Sequence, residues 1–183
     1  MLTGWRPDTP DQDSLRHAFL SYLAARPDGC RRECVPGHLT ASTALVDSAG
    51  DHVLLTLHPR IGRWVQLGGH CEDGDATMAA AALREATEES GIGGITIDPR
   101  PLHVAVHPIT CSLGRATRHL DVRFLGVAPP DAVPSRCAES LDLRWWPIDA
   151  LPAAPAVAGD VPMLATLAAR RRSLLQRLPD HAP

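Results

Sequence analysis

The sequence predicts an α/β layered domain, and three observations carry that expectation. β-rich runs separated by turn residues occupy much of the chain between about residues 39 and 148. Helical stretches precede, interrupt and follow them, near 11–26, 76–90 and from 162 onward. Strands and helices in this order bury their apolar faces as layers, and 44% hydrophobic content over 183 residues suffices for one core. The expected organisation is a single domain over 1–183. Its core covers about 38–152, with a helical extension over 1–37 and a closing helix near 161–178.

Taken in order, "DQDSLRHAFLSYLAAR" places Leu15, Phe19, Leu20 and Leu23 on one helical stripe, with Asp13 or Ser14 as cap and "PDG" as stop. "LTASTALVD" and "HVLLTLHP" read as a hairpin turned by "SAGD", and "RWVQLGG" as one short strand ending in glycines. Ala76 to Ser90 is alanine-rich, lacks proline and glycine, and stops at Gly91, which predicts a helix with a glycine C-terminal signal. "PLHVAVHPI", "RHLDVRFLGVA" and "DLRWWPI" read as strands. "LPAAPAVAGD" then links to a last helix beginning at Pro162.

The formal charge of −3, with no long basic run, argues against a grip on nucleic acid or anionic lipid, and favours small-molecule partners. No stretch approaches the roughly 20 apolar residues of a membrane span, and the N-terminus lacks a signal-peptide layout, so a cytoplasmic location is expected. Cys30, Cys34, Cys71, Cys111 and Cys137 are odd in number and scattered, which suits reduced thiols. Cys30 and Cys34, with His38 following, could form part of a metal site, although their spacing matches no strong zinc pattern. The apolar N-terminal helix offers a surface for a homodimer.

Chemistry concentrates between Gln66 and Ile92. On the alanine-rich helix, Glu85 and Glu89 sit roughly 40° apart and Glu85 and Glu88 roughly 60° apart on the other side, so three carboxylates share a patch. Ala79, Ala82, Leu83 and Ala86 lie opposite, where small side chains allow close approach to a sheet. A solvated surface helix explains charged residues in general. Here, however, like charges at these spacings cost helix stability, and acids in the last turn oppose the helix dipole. A divalent cation relieves both, and oxygen donors without nearby thiolate select Mg²⁺ or Mn²⁺. Such an ion suits a diphosphate.

These residues resemble the signature of the Nudix hydrolases, GX5EX7REUXEEXGU with U a bulky aliphatic. Gly69 opens it, and Arg84, Glu85, Glu88, Glu89, Gly91 and Ile92 fall on REUXEEXGU without a gap. Three departures stand out. Asp75 occupies the usual glutamate position and Ala86 the usual aliphatic one, and eight residues rather than seven separate Asp75 from Arg84. The extra residue fits best in "GDAT" before the helix, since an insertion inside the helix would rotate its face. The resemblance implies an α/β/α sandwich around a mixed sheet and hydrolysis of a nucleoside diphosphate linked to another moiety. It also implies Mg²⁺ or Mn²⁺ at Glu85, Glu88 and Glu89, joined by the Gly69 carbonyl. Arg84 would orient the carboxylates, for example through Glu88, and Glu72 in the variable loop is either a further ligand or a loop charge.

A general base must take the proton of the attacking water. Glu88 and Glu89 are the simplest candidates, and Glu139 lies in a loop from which some family members bring a glutamate. His103 with His107, and His119 with Asp121, alternate with period two, so each pair projects from one strand face. That placement suits a cleft wall as well as a satisfied surface. His107, His119 and Asp121 are therefore candidates for substrate phosphate contact or for extra metal binding, and His70 beside Gly69 is a candidate substrate contact. Trp64 and Gln66 share a strand face, where Trp64 either stacks a base or fills the core. The departures at Asp75 and Ala86, with the extra residue, leave an alternative function, a catalytically weak nucleotide-binding or sensor module.

Overall fold

The computed structural model describes residues 1–110, 114 and 116–177. Cys111, most of the "CSLGR" segment and Leu178 at the expected end of the last helix lie outside the described residues. The elements run α1 (Pro10–Ala25), β1 (His38–Val46), β2 (His52–His58), β3 (Arg63–Val65), β4 (Leu67–His70), α2 (Met78–Ser90), β5 (Thr96–Ile97), β6 (His103–Thr110), β7 (Ala116–Val127), β8 (Asp142–Pro147) and α3 (Val161–Arg177). The strands hydrogen-bond in the order β3-β2-β1-β7-β5, with β4 on β1, β6 on β7 and β8 on β2. The fold is thus a mixed sheet with flanking helices, of the α/β class.

The chain forms two compact units interleaved in sequence. The first comprises Met1–Thr43, Gly68–Glu85 and Ile97–Phe124. Strand β1 is buried at all nine positions, so both of its faces are covered. Leu39 and Ala41 join Val104, Leu120, Val122 and Phe124 in a core that receives Phe19 from α1 and Ala81 and Ala82 from α2. Thr43 Oγ1 also donates to the Ala82 carbonyl, 3.0 Å away. The apolar stripe expected on α1 is therefore engaged within the chain. The Gln12 amide completes the docking of α1: it donates to the Val104 carbonyl at 3.0 Å and accepts from the Val104 N–H at 2.8 Å, satisfying both backbone groups of that residue.

The second unit comprises Ala44–Leu67, Ala86–Thr96 and Leu125–Pro183. The expected hairpin forms, with Val46 opposite Val53, and β8 runs antiparallel along β2 with Trp146 opposite Val53. Buried Val161, Leu164, Ala165 and Ala168 give α3 its inward stripe, which meets Val53, Leu55, Trp64 and Val157. Arg172 fastens the helix by donating from Nε and Nη2 to the Ser48 carbonyl, at 3.2 and 2.8 Å.

Several boundaries differ from expectation. "RWVQLGG" splits at Gln66 because β3 pairs with β2 whereas β4 pairs with β1, and the chain must step sideways between them. Trp64 and Gln66 consequently do not share one continuous strand. The cap of α1 is Thr9, whose side chain accepts from the Gln12 N–H, with Pro10 at the first position, rather than Asp13 or Ser14. α2 starts at Met78 because Thr77 Oγ1 caps it by accepting from the Ala80 N–H at 3.1 Å. β5, two residues long, carries too little pattern to be read in advance.

Candidate active site

Helix α2 runs from Met78 to Ser90 without interruption, so the extra residue of the motif sits in the preceding loop. Gly91 ends the helix at φ +65°, donating its N–H to the Thr87 carbonyl at 2.8 Å. Ala81, Ala82 and Ala86 are fully buried, and Ala79 and Leu83 partly so. Ala81 thus joins the expected inward face. On the other side, Glu88 is exposed while Glu85 and Glu89 are half-buried.

Glu85 rests against Gly69. A Cβ placed on Gly69 would lie 2.5 Å from Glu85 Oε1 and 2.6 Å from Oε2, so glycine is what lets the carboxylate rest on that backbone. Arg84 braces the arrangement. Its Nη1 donates to Glu85 Oε1 at 3.1 Å, Nε and Nη2 hold Asp75 at 3.1 and 3.0 Å, and Nη2 also donates to the His70 carbonyl at 2.8 Å. A two-pronged guanidinium–carboxylate pair fixes position as well as charge. The Asp75 side chain is 8% exposed and also accepts from the Glu72 N–H at 2.8 Å. The Arg84 hydrogen bond holds the Asp75 carboxyl below its usual range, and the same bond raises Arg84. Asp75, off-register in the motif, is therefore the anchor of Arg84. Glu72 is 67% exposed and 3.7 Å from Arg84 Nη1, a weak surface contact.

The strand histidines lie on the other face of β1. Residues 38, 40 and 42 alternate with the apolar set, and the β6–β7 register places His103 opposite Arg123 and His107 opposite His119. Both expected pairs therefore share a face. Asp121 is buried and accepts from Thr40 Oγ1 at 3.0 Å, Ser42 Oγ at 2.8 Å and Arg123 Nε at 2.9 Å. Arg123 has no exposed surface, and its Nη2 donates to His107 Nε2 at 2.7 Å. A guanidinium can only donate, so His107 accepts there. Beside this network the rings of His38, His70 and His119 meet. Burial lowers His70 to about 3 and His119 to about 4, with a neighbouring histidine adding to each shift.

The remaining candidates sit elsewhere. Trp64 is 9% exposed and packs edge-on against Trp146, the placement of a core residue. Glu139 is an exposed loop residue whose charge acts on His58. Cys30, Cys34, Cys71 and Cys137 are free thiols. Cys34 is paired with Tyr22 Oη at 3.1 Å. Arg123 and the anchoring role of Asp75 escaped the sequence reading, which weighed His38 only beside Cys30 and Cys34, although the period-two series His38, Thr40, Ser42 was available to mark the polar face of β1.

The fold is thus of the α/β class, and its second helix carries three glutamates, one of them seated on a glycine backbone and braced by arginine. The NUDIX domain model matches residues 37–167; the chain belongs to that family and is a hydrolase acting on pyrophosphate bonds. The match begins near the expected core boundary and extends into α3. A NUDIX-family hydrolase from Clostridium perfringens is 25% identical, with a TM-score of 0.56 over 73% of this chain and 97% of that one. The NUDIX domain of Shewanella oneidensis NrtR, solved with ADP ribose, is 20% identical at TM-score 0.54, covering 82% and 97%. The Escherichia coli dihydroneopterin triphosphate pyrophosphohydrolase is 20% identical at TM-score 0.54, covering 73% and 95%. No curated protein matches the chain in sequence.

Proposed function

We propose that this chain is a metal-dependent pyrophosphohydrolase that cleaves a nucleoside diphosphate linked to another moiety by attack of water at phosphorus. The observation that carries the reading is the seat of Glu85 on the Gly69 backbone, where any side chain would fill the space the carboxylate occupies. Glu85, Glu88 and Glu89, with the Gly69 carbonyl, would offer the all-oxygen donors that suit Mg²⁺ or Mn²⁺; Glu72 is a further candidate. An ion held by these residues would supply charge neutralisation at the diphosphate and acidity to a water molecule.

The protein's own groups do the rest. Asp75 holds Arg84, and Arg84 holds Glu85, so one carboxylate is fixed before substrate arrives. Glu88 or Glu89 takes the proton of the attacking water, with Glu139 as the loop alternative. Of the expected substrate contacts Gln66 stays a candidate, whereas the rings of His70 and His119 turn toward each other and His38. Trp64, His107 and Asp121 already have partners inside the protein, which favours internal roles for them. ADP ribose and dihydroneopterin triphosphate, named for two relatives, both carry phosphoanhydride links, and the first is a nucleoside diphosphate joined to another moiety, which supports the reading. Free thiols and the lack of any helix long and apolar enough to cross a membrane among the described residues accord with a cytoplasmic setting.

The test is phosphate release from nucleoside triphosphates, nucleotide sugars, dinucleoside polyphosphates and ADP-ribose with Mg²⁺ and Mn²⁺. Glu88→Gln, shown folded by circular dichroism, is expected to lose about 100-fold or more in kcat. Equal rates for parent and variant would overturn the reading. Tight nucleotide binding with no release by the parent would point instead to a sensing module.

A further inference from the structure

We infer that the first unit carries a second metal site, built from His38, His70 and His119, that takes a borderline transition ion of the Zn²⁺ class and is chemically separate from the carboxylate site on α2. Candidate ligand atoms of the three residues lie within 4.8 Å of one another. Their ring centroids form a triangle with sides of 5.0, 5.0 and 5.0 Å. Imidazoles bound at about 2.0–2.1 Å around a tetrahedral ion place their ring centres roughly 5 Å apart, so little movement is required.

The hydrogen-bonding state of the rings points the same way. Nε2 of His38, of His70 and of His119 is buried and has no hydrogen-bond partner. Buried polar atoms are almost always paired, and three orphaned nitrogens converging from β1, β4 and β7 need a common explanation. For His38 the tautomer is set by its surroundings. Nδ1 lies 3.3 Å from the Cys34 carbonyl, which can only accept, so the proton is on Nδ1 and the Nε2 lone pair is free to ligate. Metal-binding histidines are oriented in this way by a carbonyl behind the ring. Neutral imidazoles suit zinc, copper or nickel rather than Mg²⁺, which separates this site from the oxygen-rich one.

Three protein ligands leave one position of a tetrahedral ion open for water or an anion. Arg32, whose positive charge acts on both His70 and His119, favours an anion there, and that anion would offset part of the ion's charge. The site also has a consequence for the rest of the unit. His70 follows Gly69 directly, and its carbonyl accepts from Arg84; an ion on His70 would therefore clamp the segment on which Glu85 rests.

Co²⁺ titration of chelator-stripped full-length protein provides the test. We expect one equivalent to give the intense visible bands of four-coordinate Co²⁺, displaced by Zn²⁺ and unaffected by excess Mg²⁺. The signal should persist in the Glu85→Gln, Glu88→Gln, Glu89→Gln triple variant, which disables the carboxylate site. It should weaken about 100-fold or more in apparent affinity in His119→Ala. His70→Ala, at a half-buried position, serves as a second variant should His119→Ala misfold, and Zn²⁺ should raise the melting temperature of the parent but not of this variant. Absence of the Co²⁺ bands, their retention in folded His119→Ala or His70→Ala, or their loss in the glutamate triple variant would each overturn the inference. None of these outcomes depends on whether the chain hydrolyses diphosphates.

Discussion

The Glu85 carboxylate lies so close to Gly69 that one added methyl group would sit 2.5 Å from its Oε1. This contact ties the end of β4 to the middle of α2. Gly69→Ala must push the carboxylate away by the better part of an ångström, and displacements of about 1 Å in a catalytic group cost on the order of 100-fold in rate. We expect kcat with Mg²⁺ to fall by about that factor while circular dichroism stays at the parent's. Steady-state assays of both proteins decide the point, and an unchanged kcat would mean that the seat of Glu85 is irrelevant to turnover.

Asp75 reaches the same carboxylate through Arg84. Asp75→Asn removes the charge that fixes the guanidinium but leaves Glu85, Glu88 and Glu89 in place, so activity should drop about tenfold, mostly in kcat. Because both residues act through one contact, Asp75→Ala and Arg84→Ala should be non-additive, with a coupling of about 1–3 kcal/mol in transition-state free energy. Additive effects in the four-protein cycle would show that the two residues act independently.

The helix face was legible because its geometry is local: at about 100° per residue, spacings of three and four place Glu85, Glu88 and Glu89 together whatever the tertiary structure does. Arg84–Asp75 was less so, since a loop intervenes and only the folded loop turns Asp75 toward the guanidinium. The histidine trio could not be read at all as a unit. His38, His70 and His119 sit on three strands whose adjacency is a property of the sheet, and His70 lies just past the expected strand "RWVQLGG", which breaks at Gln66 when the chain changes partner. Trp64 shows the limit from the other side, because strand alternation identifies its face but not that α3 and Trp146 close over it.

Asp121 and Arg123 form a charge pair with almost no exposure, each with further partners. Breaking such a pair from one side leaves a buried, uncompensated charge and typically costs about 3–5 kcal/mol. Asp121→Ala should destabilise the protein by that order, with the Arg123 guanidinium as the orphan. Thr40→Val, which removes one neutral donor to Asp121, should cost nearer to 1 kcal/mol. Urea unfolding measures both, and equal losses for the two variants would show that the charge pair is not what holds these strands.

The last prediction concerns pH in chelator-treated protein. Burial lowers His70 to about 3 and His119 to about 4, below the ordinary histidine value of 6.5. Between those values the unfolded chain binds more protons than the folded one, so stability falls as pH falls. The contribution is complete above pH 6.5 and is lost progressively toward pH 3–4. At about 1.4 kcal/mol per pH unit for each histidine, the two together should cost roughly 2–4 kcal/mol between pH 7 and pH 5. His70→Asn with His119→Asn should flatten this slope, whatever the double variant does to stability at pH 7. Urea midpoints at a series of pH values would reveal it, and an equally steep acid limb in the double variant would assign the sensitivity to other groups.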